Sequence, residues 1–223
     1  YAVDISQQAK ENIAYRKSRG MTIGMPPFGT LRDADGYLKP SPDGAWLLTD
    51  GTFAAGDPDN PPEEGASWRS YYEAAHFALR VYATGDHGLE RIAYKFNHAG
   101  WAFRDRKGEP RPGDRDDMRR IVANWAEYGG IVFDRKAKDR PAYEQQSVEE
   151  IPFNSERAVF PIKLLKEVAQ VRQERTMRRL DQGVNRVSHF YPLAGITYCA
   201  HCEQRAKEQN DPRLRMALGG TDT

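Results

Sequence analysis

The chain has 223 residues, with 33 Lys and Arg against 32 Asp and Glu, a formal net charge of +1 at pH 7, and 39% hydrophobic and 11% aromatic residues. This is apolar enough for a buried core of one or two domains and excludes a disordered polyelectrolyte. No apolar run approaches the roughly 20 residues of a membrane helix, no charged-then-apolar leader is visible, and the two cysteines cannot build a disulfide framework. A soluble, cytoplasmic protein is expected.

The first stretch, "VDISQQAKENIAYRKSRG", has few apolar residues, good helix formers, Arg16, Lys17 and Arg19 in its last turn and Gly20 as a stop. It reads as a solvated helix, and because it begins at Tyr1 already in helical sequence, a piece of a longer protein is expected. "GMPPFGTLRDADGYLKPSPDG" is dense in Pro, Gly and Asp and predicts turns with short extended pieces. "DPDNPPEEG" is an acidic loop. From Arg32 to Arg69 three basic residues face eight acidic ones, a balance of −5, whereas from Glu156 to Arg186 eight basic face four acidic, a balance of +4. A nucleic-acid binder of neutral overall charge shows this separation, and so does an ordinary mixed surface.

Three amphipathic helices are then predicted. "RSYYEAAHFALRVYATG" carries Ala74, Phe77, Ala78 and Val81 on one stripe; "GLERIAYKFNHAG" carries Leu89, Ile92, Ala93 and Phe96; "GDRDDMRRIVANWAEYGG" carries Met118, Ile121, Val122 and Trp125, with Asp114 as N-cap and Gly129-Gly130 as its end. "GIVFDRK" reads as a short strand. A long helix over about Asn154–Arg179 has Leu164, Val168 and Val171 on one side and arginines on the other, and "YPLAGITYC" reads as a strand. No internal repeat is visible.

The second and third of these helices, joined by a loop from Trp101 to Gly113, fit a helix-turn-helix reader of DNA, though with a longer loop than the tightest version. At about 100° per residue, the face of the third helix opposite Met118 carries Asp116, Arg119, Arg120, Ala123 and Asn124, with Arg115 at its edge. Arginine reads guanine O6 and N7, asparagine reads adenine, and either holds phosphate. Arg104, Arg106, Lys107 and Arg111 of the loop are candidates for contact with the DNA backbone or minor groove. A solvated charged face gives the same pattern.

The order of these pieces resembles the DNA-binding half of the large serine recombinases, the integrases and transposon recombinases of the resolvase/invertase superfamily. The family's "G.PPYGY" turn and "D.DG.L.P" segment are matched by "RKSRGMTIGMPPFGTLRDADGYLKP"; its two helices and strand by "GLERIAYKFNHAGW" and "DDMRRIVANWAEYGGIV"; its "L.GL..C..C" entry into a zinc ribbon by "YPLAGITYCAHC". Residues 44–68 have no counterpart and look like an insertion, and Thr30 stands where an aromatic is common. The resemblance implies an α+β, mostly helical chain: a linker helix over 1–20 from a catalytic domain, a recombinase domain over 21–153, a basic helix over 154–186 and the start of a zinc ribbon over 187–223. It implies double-stranded DNA as partner, self-association of the intact protein, and a bacterial or phage-encoded, nucleoid-associated setting. Arg16, Lys17 and Arg19 with the Pro26-Pro27 turn are then expected along the backbone or minor groove.

Cys199 and Cys202 have the spacing of half a zinc knuckle. His189 and His201 could complete a site; the resemblance instead places a second cysteine pair beyond Thr223, so zinc is expected in the intact protein and not in this stretch. A thioredoxin-like reading would need a βαβ setting, which the surroundings do not supply. The serine nucleophile implied by the resemblance lies upstream, and Ser6, Ser18, Ser41 and Ser155 receive no catalytic role. Two rival readings are a small nuclease built on His76, His87 and His98 with Glu73 and Asp86, and an interaction module using Leu164, Val168 and Val171. A helix-turn-helix transcription regulator without recombinase activity is the main alternative.

Overall fold

In a computed structural model the described residues are 2–22, 24–105, 107–131, 147–181 and 208. The chain divides into two compact units, Tyr1–Thr176 and Met177–Thr223, and the described residues belong almost entirely to the first. Among them are six α-helices and seven short strands in three antiparallel sheets, an α+β architecture. No helix among them is long and apolar enough to cross a membrane. The expected strand and cysteines of residues 191–202 lie outside the described residues, as does the expected strand from Val132 onward.

Helix α1, Ala2–Ser18, keeps residues 7–15 exposed, as its polar sequence requires, and ends at Gly20, whose φ of 68° suits a residue without a Cβ. Strands β1 (Thr30–Arg32) and β2 (Leu38–Pro40) form a hairpin closed by the Asp33 carboxylate, which accepts from Tyr37 N–H at 2.8 Å. The segment expected as an insertion over 44–68 is no peripheral loop. It folds into a sheet of order β4-β3-β5, from β3 (Gly44–Leu47), β4 (Phe53–Ala54) and β5 (Ser67–Ser70). Ala45 is fully buried, Trp46 meets Trp68 edge-on at 5.3 Å, and Trp46 Nε1 donates to the Asp57 carbonyl. Leu47 packs so closely on Gly100 that a Cβ there would lie 2.5 Å from its Cδ2. The acidic tip, residues 57–65, is exposed, as is the turn over residues 49–52.

Three helices pack mutually, α2 (Tyr71–Ala83), α3 (Leu89–His98) and α4 (Arg115–Ala123), and α2 packs on β3 and β5 of this sheet. The stripes read from sequence on α3 and α4 are those buried, with Ile92, Phe96, Met118 and Ile121 fully enclosed. On α2 the buried set is Tyr71, Ala74, Ala75, Ala78, Leu79 and Tyr82, while Phe77 and Val81 are only partly covered. The predicted stripe is therefore turned: α2 has neighbours on more than one side, and small alanines let them approach.

Two boundaries differ from expectation. The helix expected to run through Tyr128 stops at Asn124, whose N–H turns to the Ile121 carbonyl, and a separate turn α5 (Trp125–Tyr128) follows. That break aims Trp125 at Phe153 and Tyr128 at Phe160, with ring centroids 5.8 and 4.9 Å apart. The last helix, α6, is Ile162–Asp181 and begins well after Asn154. Residues 154–159 are engaged elsewhere: Asn154 N–H donates to the Gly129 carbonyl at 3.0 Å and Val159 N–H to the Tyr128 carbonyl at 2.8 Å, and Pro161 precedes the first turn. Leu164, Val168 and Val171, the face considered for pairing with another chain, are buried in this chain's own core.

Tyr128 is fully buried and its hydroxyl donates to the Phe28 carbonyl at 2.8 Å, tying the end of the helical core to the Pro26-Pro27 turn; burial pushes the phenol well above its ordinary pKa. Tyr128→Phe leaves that carbonyl unpaired in the core, and an equilibrium urea titration should show a loss of about 1–3 kcal/mol.

Candidate functional site

The loop between α3 and α4 is itself ordered. Strands β6 (Phe103–Arg104) and β7 (Pro110–Arg111) form a two-residue hairpin whose turn is held by Asp105, which accepts from Lys107 N–H at 2.7 Å and Glu109 N–H at 2.9 Å. The Glu109 amide is the main cause that holds this carboxyl below the ordinary range. Asn97, at the end of α3, exchanges two hydrogen bonds with the Gly113 backbone, at 2.8 and 2.9 Å, so the loop returns to a fixed point.

Helix α4 starts with a capping box: Asp114 accepts from Asp117 N–H at 2.9 Å, and the Asp117 carboxylate accepts from Asp114 N–H at 3.0 Å. Asp117 is only 1% exposed, and its charge is met by a two-pronged Arg111, Nη1 to Oδ2 at 2.7 Å and Nη2 to Oδ1 at 3.0 Å. That pairing raises the Arg111 pKa above its ordinary value. The Arg111 guanidinium also lies 5.4 Å from the Phe103 ring centre, and Phe103 stacks on Phe28 at 4.1 Å. Phe28 anchors the turn before it. Thr30, buried where the resemblance expects an aromatic, closes that turn with its hydroxyl on the Pro27 carbonyl at 2.7 Å, and Arg32 donates to the Gly24 carbonyl.

These three pieces enclose a cleft of ≈ 1210 Å³. One wall is Met25, Pro26 and Pro27, another is the hairpin with Arg104 and Lys107, and the third is the C-terminal half of α4 with Arg119, Arg120 and Asn124. Among the described residues that line it, Arg104, Lys107, Arg111, Arg119 and Arg120 are cationic and Asp105 is anionic. Met25, 87% exposed, stands at the rim.

The structure thus gathers Arg104, Lys107, Arg119, Arg120 and Asn124 at one place, with the Pro26-Pro27 turn. Arg115 does not line the cleft; it points to Glu90 of α3 at 3.7 Å. Arg16 and Arg19 are at the end of α1, outside the cleft lining, and the side chain of Lys17 lies outside the described residues, as do Arg106, His189, Cys199, His201 and Cys202. Arg111, read from sequence as a candidate for contact with the DNA backbone or minor groove, is committed to Asp117. The Asp117 role is signalled by the D-R-D-D string, an N-cap acid followed by an acid at the third helical position. The histidines of the rival reading have separate neighbours: His76 stacks on Phe160 at 5.5 Å, His87 Nε2 meets Lys95 Nζ at 2.7 Å, and His98 lies 6.0 Å from Tyr94. Burial lowers the His76 pKa. Among the described residues no group of three or more His, Cys, Asp or Glu is placed to share a metal ion.

Comparison with family models, with curated proteins and with solved structures finds no match for this chain.

The Asp117 amide is the largest cause that depresses the Asp114 carboxyl below its ordinary value. A group depressed on folding stabilises the fold above its unfolded pKa, about 3.9, and loses that contribution as pH falls through the lower folded value. Asp114→Ala should cost about 1 kcal/mol at pH 7 through removal of the N-cap, and the deficit against the unaltered chain should shrink in denaturation curves recorded below about pH 4.

Proposed function

We propose that the cleft binds duplex DNA and that the chain is the DNA-binding part of a site-specific serine recombinase of the integrase or transposon-resolvase type. The observation that carries this reading is a convergence. Side chains from three separate segments, residues 25–27, then Arg104 with Lys107, then Arg119, Arg120 and Asn124, line one predominantly cationic cleft. Arg119, Arg120 and Asn124 are presented by a rigid helix whose opposite face is fully buried, and they take the base edges of the major groove. Arg104 and Lys107 sit on the hairpin beside it and take backbone phosphates. The basic end of α1 follows the neighbouring backbone. The family resemblance supports the recombinase reading; the cleft supports the DNA reading. The nucleophile that cuts DNA belongs to the catalytic part of the intact protein.

Selection from a randomised duplex pool, followed by anisotropy titrations on selected and random duplexes across a salt series, tests this. Arg119→Ala, Arg120→Ala and Asn124→Ala should each reduce the preference for the selected site by about 1–3 kcal/mol. Arg104→Ala and Lys107→Ala should weaken both duplexes alike and lower the salt slope by about 0.9 for each phosphate no longer neutralised. Equal weakening on both duplexes for all five variants would remove base reading from α4. Joining of two selected sites by the intact protein separates a recombinase from a transcription regulator, which binds without strand exchange.

A further inference from the structure

Arg119 and Arg120 of α4 differ from Arg104 of the hairpin in having carboxylates on their own helix, one turn earlier. Arg119 Nη2 lies 3.1 Å from Asp116 Oδ1, one turn earlier on the same helix, and both side chains are more than half exposed, at 67% and 58%. Arg120 reaches Asp117 at 3.6 Å, but that carboxylate is buried and structural. An exposed Asp–Arg pair of this spacing adds little to the stability of the helix. Its effect on a ligand is larger. A guanidinium has five N–H donors, and the interaction with Asp116 leaves most of the fork available. The pair as a whole carries no net charge.

We propose that Asp116 is a specificity-determining positioning residue that turns Arg119 from a phosphate binder into a guanine reader; this rests on the reading of the cleft as a DNA site. The carboxylate cancels the attraction of Arg119 for the polyanion, which acts on every sequence alike, and fixes the plane of the guanidinium. The neutral acceptors guanine O6 and N7 are still offered two directed N–H groups. The same acidity sets the direction of approach. Asp114 and Asp116 are exposed on the first turn of α4, so an end-on approach would bring carboxylates against phosphates, while the C-terminal half, from Arg119 to Asn124, faces the cleft.

Asp116→Asn removes the charge and keeps the shape without touching the buried Asp117 network, and Asp116→Glu keeps the charge. With the 223-residue chain and fluorescent duplexes, Asp116→Asn should bind a random duplex several-fold more tightly at about 0.1 M salt. It should steepen the salt slope by about 0.9 and reduce by about tenfold the preference for guanine at one position of the selected site. Asp116→Glu should restore most of that preference, and thermal melts should show both variants folded. An Asp116→Asn protein whose salt slope and base preference equal those of the unaltered chain would overturn the assignment while leaving DNA binding intact. Absence of any DNA binding by the unaltered chain would overturn both.

Discussion

A carboxylate with 1% of its surface exposed needs hydrogen-bond and ion-pair partners in place of water, and Asp117 draws its partners from three directions. The Asp114 amide fixes the first turn of α4, Arg111 fixes the hairpin, and Arg120 leans in from the next turn of the helix. Removing any one leaves a buried charge short of donors, so hairpin and helix keep one register. The constraint extends outward through rings. Arg111 lies on Phe103, Phe103 stacks on Phe28, and the Phe28 carbonyl takes the Tyr128 hydroxyl. Each wall of the cleft contains a member of this linked series, which is why a shallow surface built from two loops and a helix has a definite shape.

The rest of the fold holds that unit from behind. Helix α6 buries Leu165 and Val168 in the common core and sends Arg175 back to the Gly85 and His87 carbonyls, at 3.1 and 2.8 Å, where its guanidinium lies 4.5 Å from the Tyr82 ring centre. The turn between α2 and α3 is thereby pinned at its carbonyls. The Trp46-Trp68 sheet supports the other end, where Leu47 occupies the space that Gly100 leaves open. Arg119 and Arg120 of α4 are exposed, while the helix that carries them is packed from behind by elements outside the cleft lining.

Much of this is legible in the sequence, for physical reasons that also mark the limits. The stripes of α3 and α4 are readable because each helix buries a single face, and their period is the helix's own. Helix α2 defeats the same reading because alanine is small enough to be buried on several sides, so Ala75 and Leu79 are enclosed where Phe77 is not. The late start of α6 follows hydrogen bonds between distant backbone segments, Val159 to Tyr128 and Asn154 to Gly129, which leave no local signal. The 44–68 segment reads as an insertion because it has no counterpart in the family pattern, and its strands of two to four residues are too short to show an alternation that would announce the sheet. Of the site, residue types and their convergence on one face of α4 are readable. That the Pro26-Pro27 turn closes the same cleft is not, because it depends on the Phe28–Phe103 stack across 75 positions of chain.

On the proposed reading, the charge arrangement also governs how tightly this unit alone can hold DNA. Of the five cations in the cleft, Arg111 is consumed by Asp117, Arg120 shares that carboxylate, and Arg119 is paired with Asp116. Arg104 has Asp43 no nearer than 3.9 Å, and Lys107 stands exposed at the hairpin tip, so the sequence-independent attraction rests mainly on these two. Engaging few phosphates means a shallow salt dependence and weak non-specific binding, while the base-directed donors of α4 are retained. A unit of that kind discriminates well and binds modestly. It becomes effective when joined to further DNA-binding surfaces on the same polypeptide or on a second copy, where linkage multiplies affinities without any change at the individual sites.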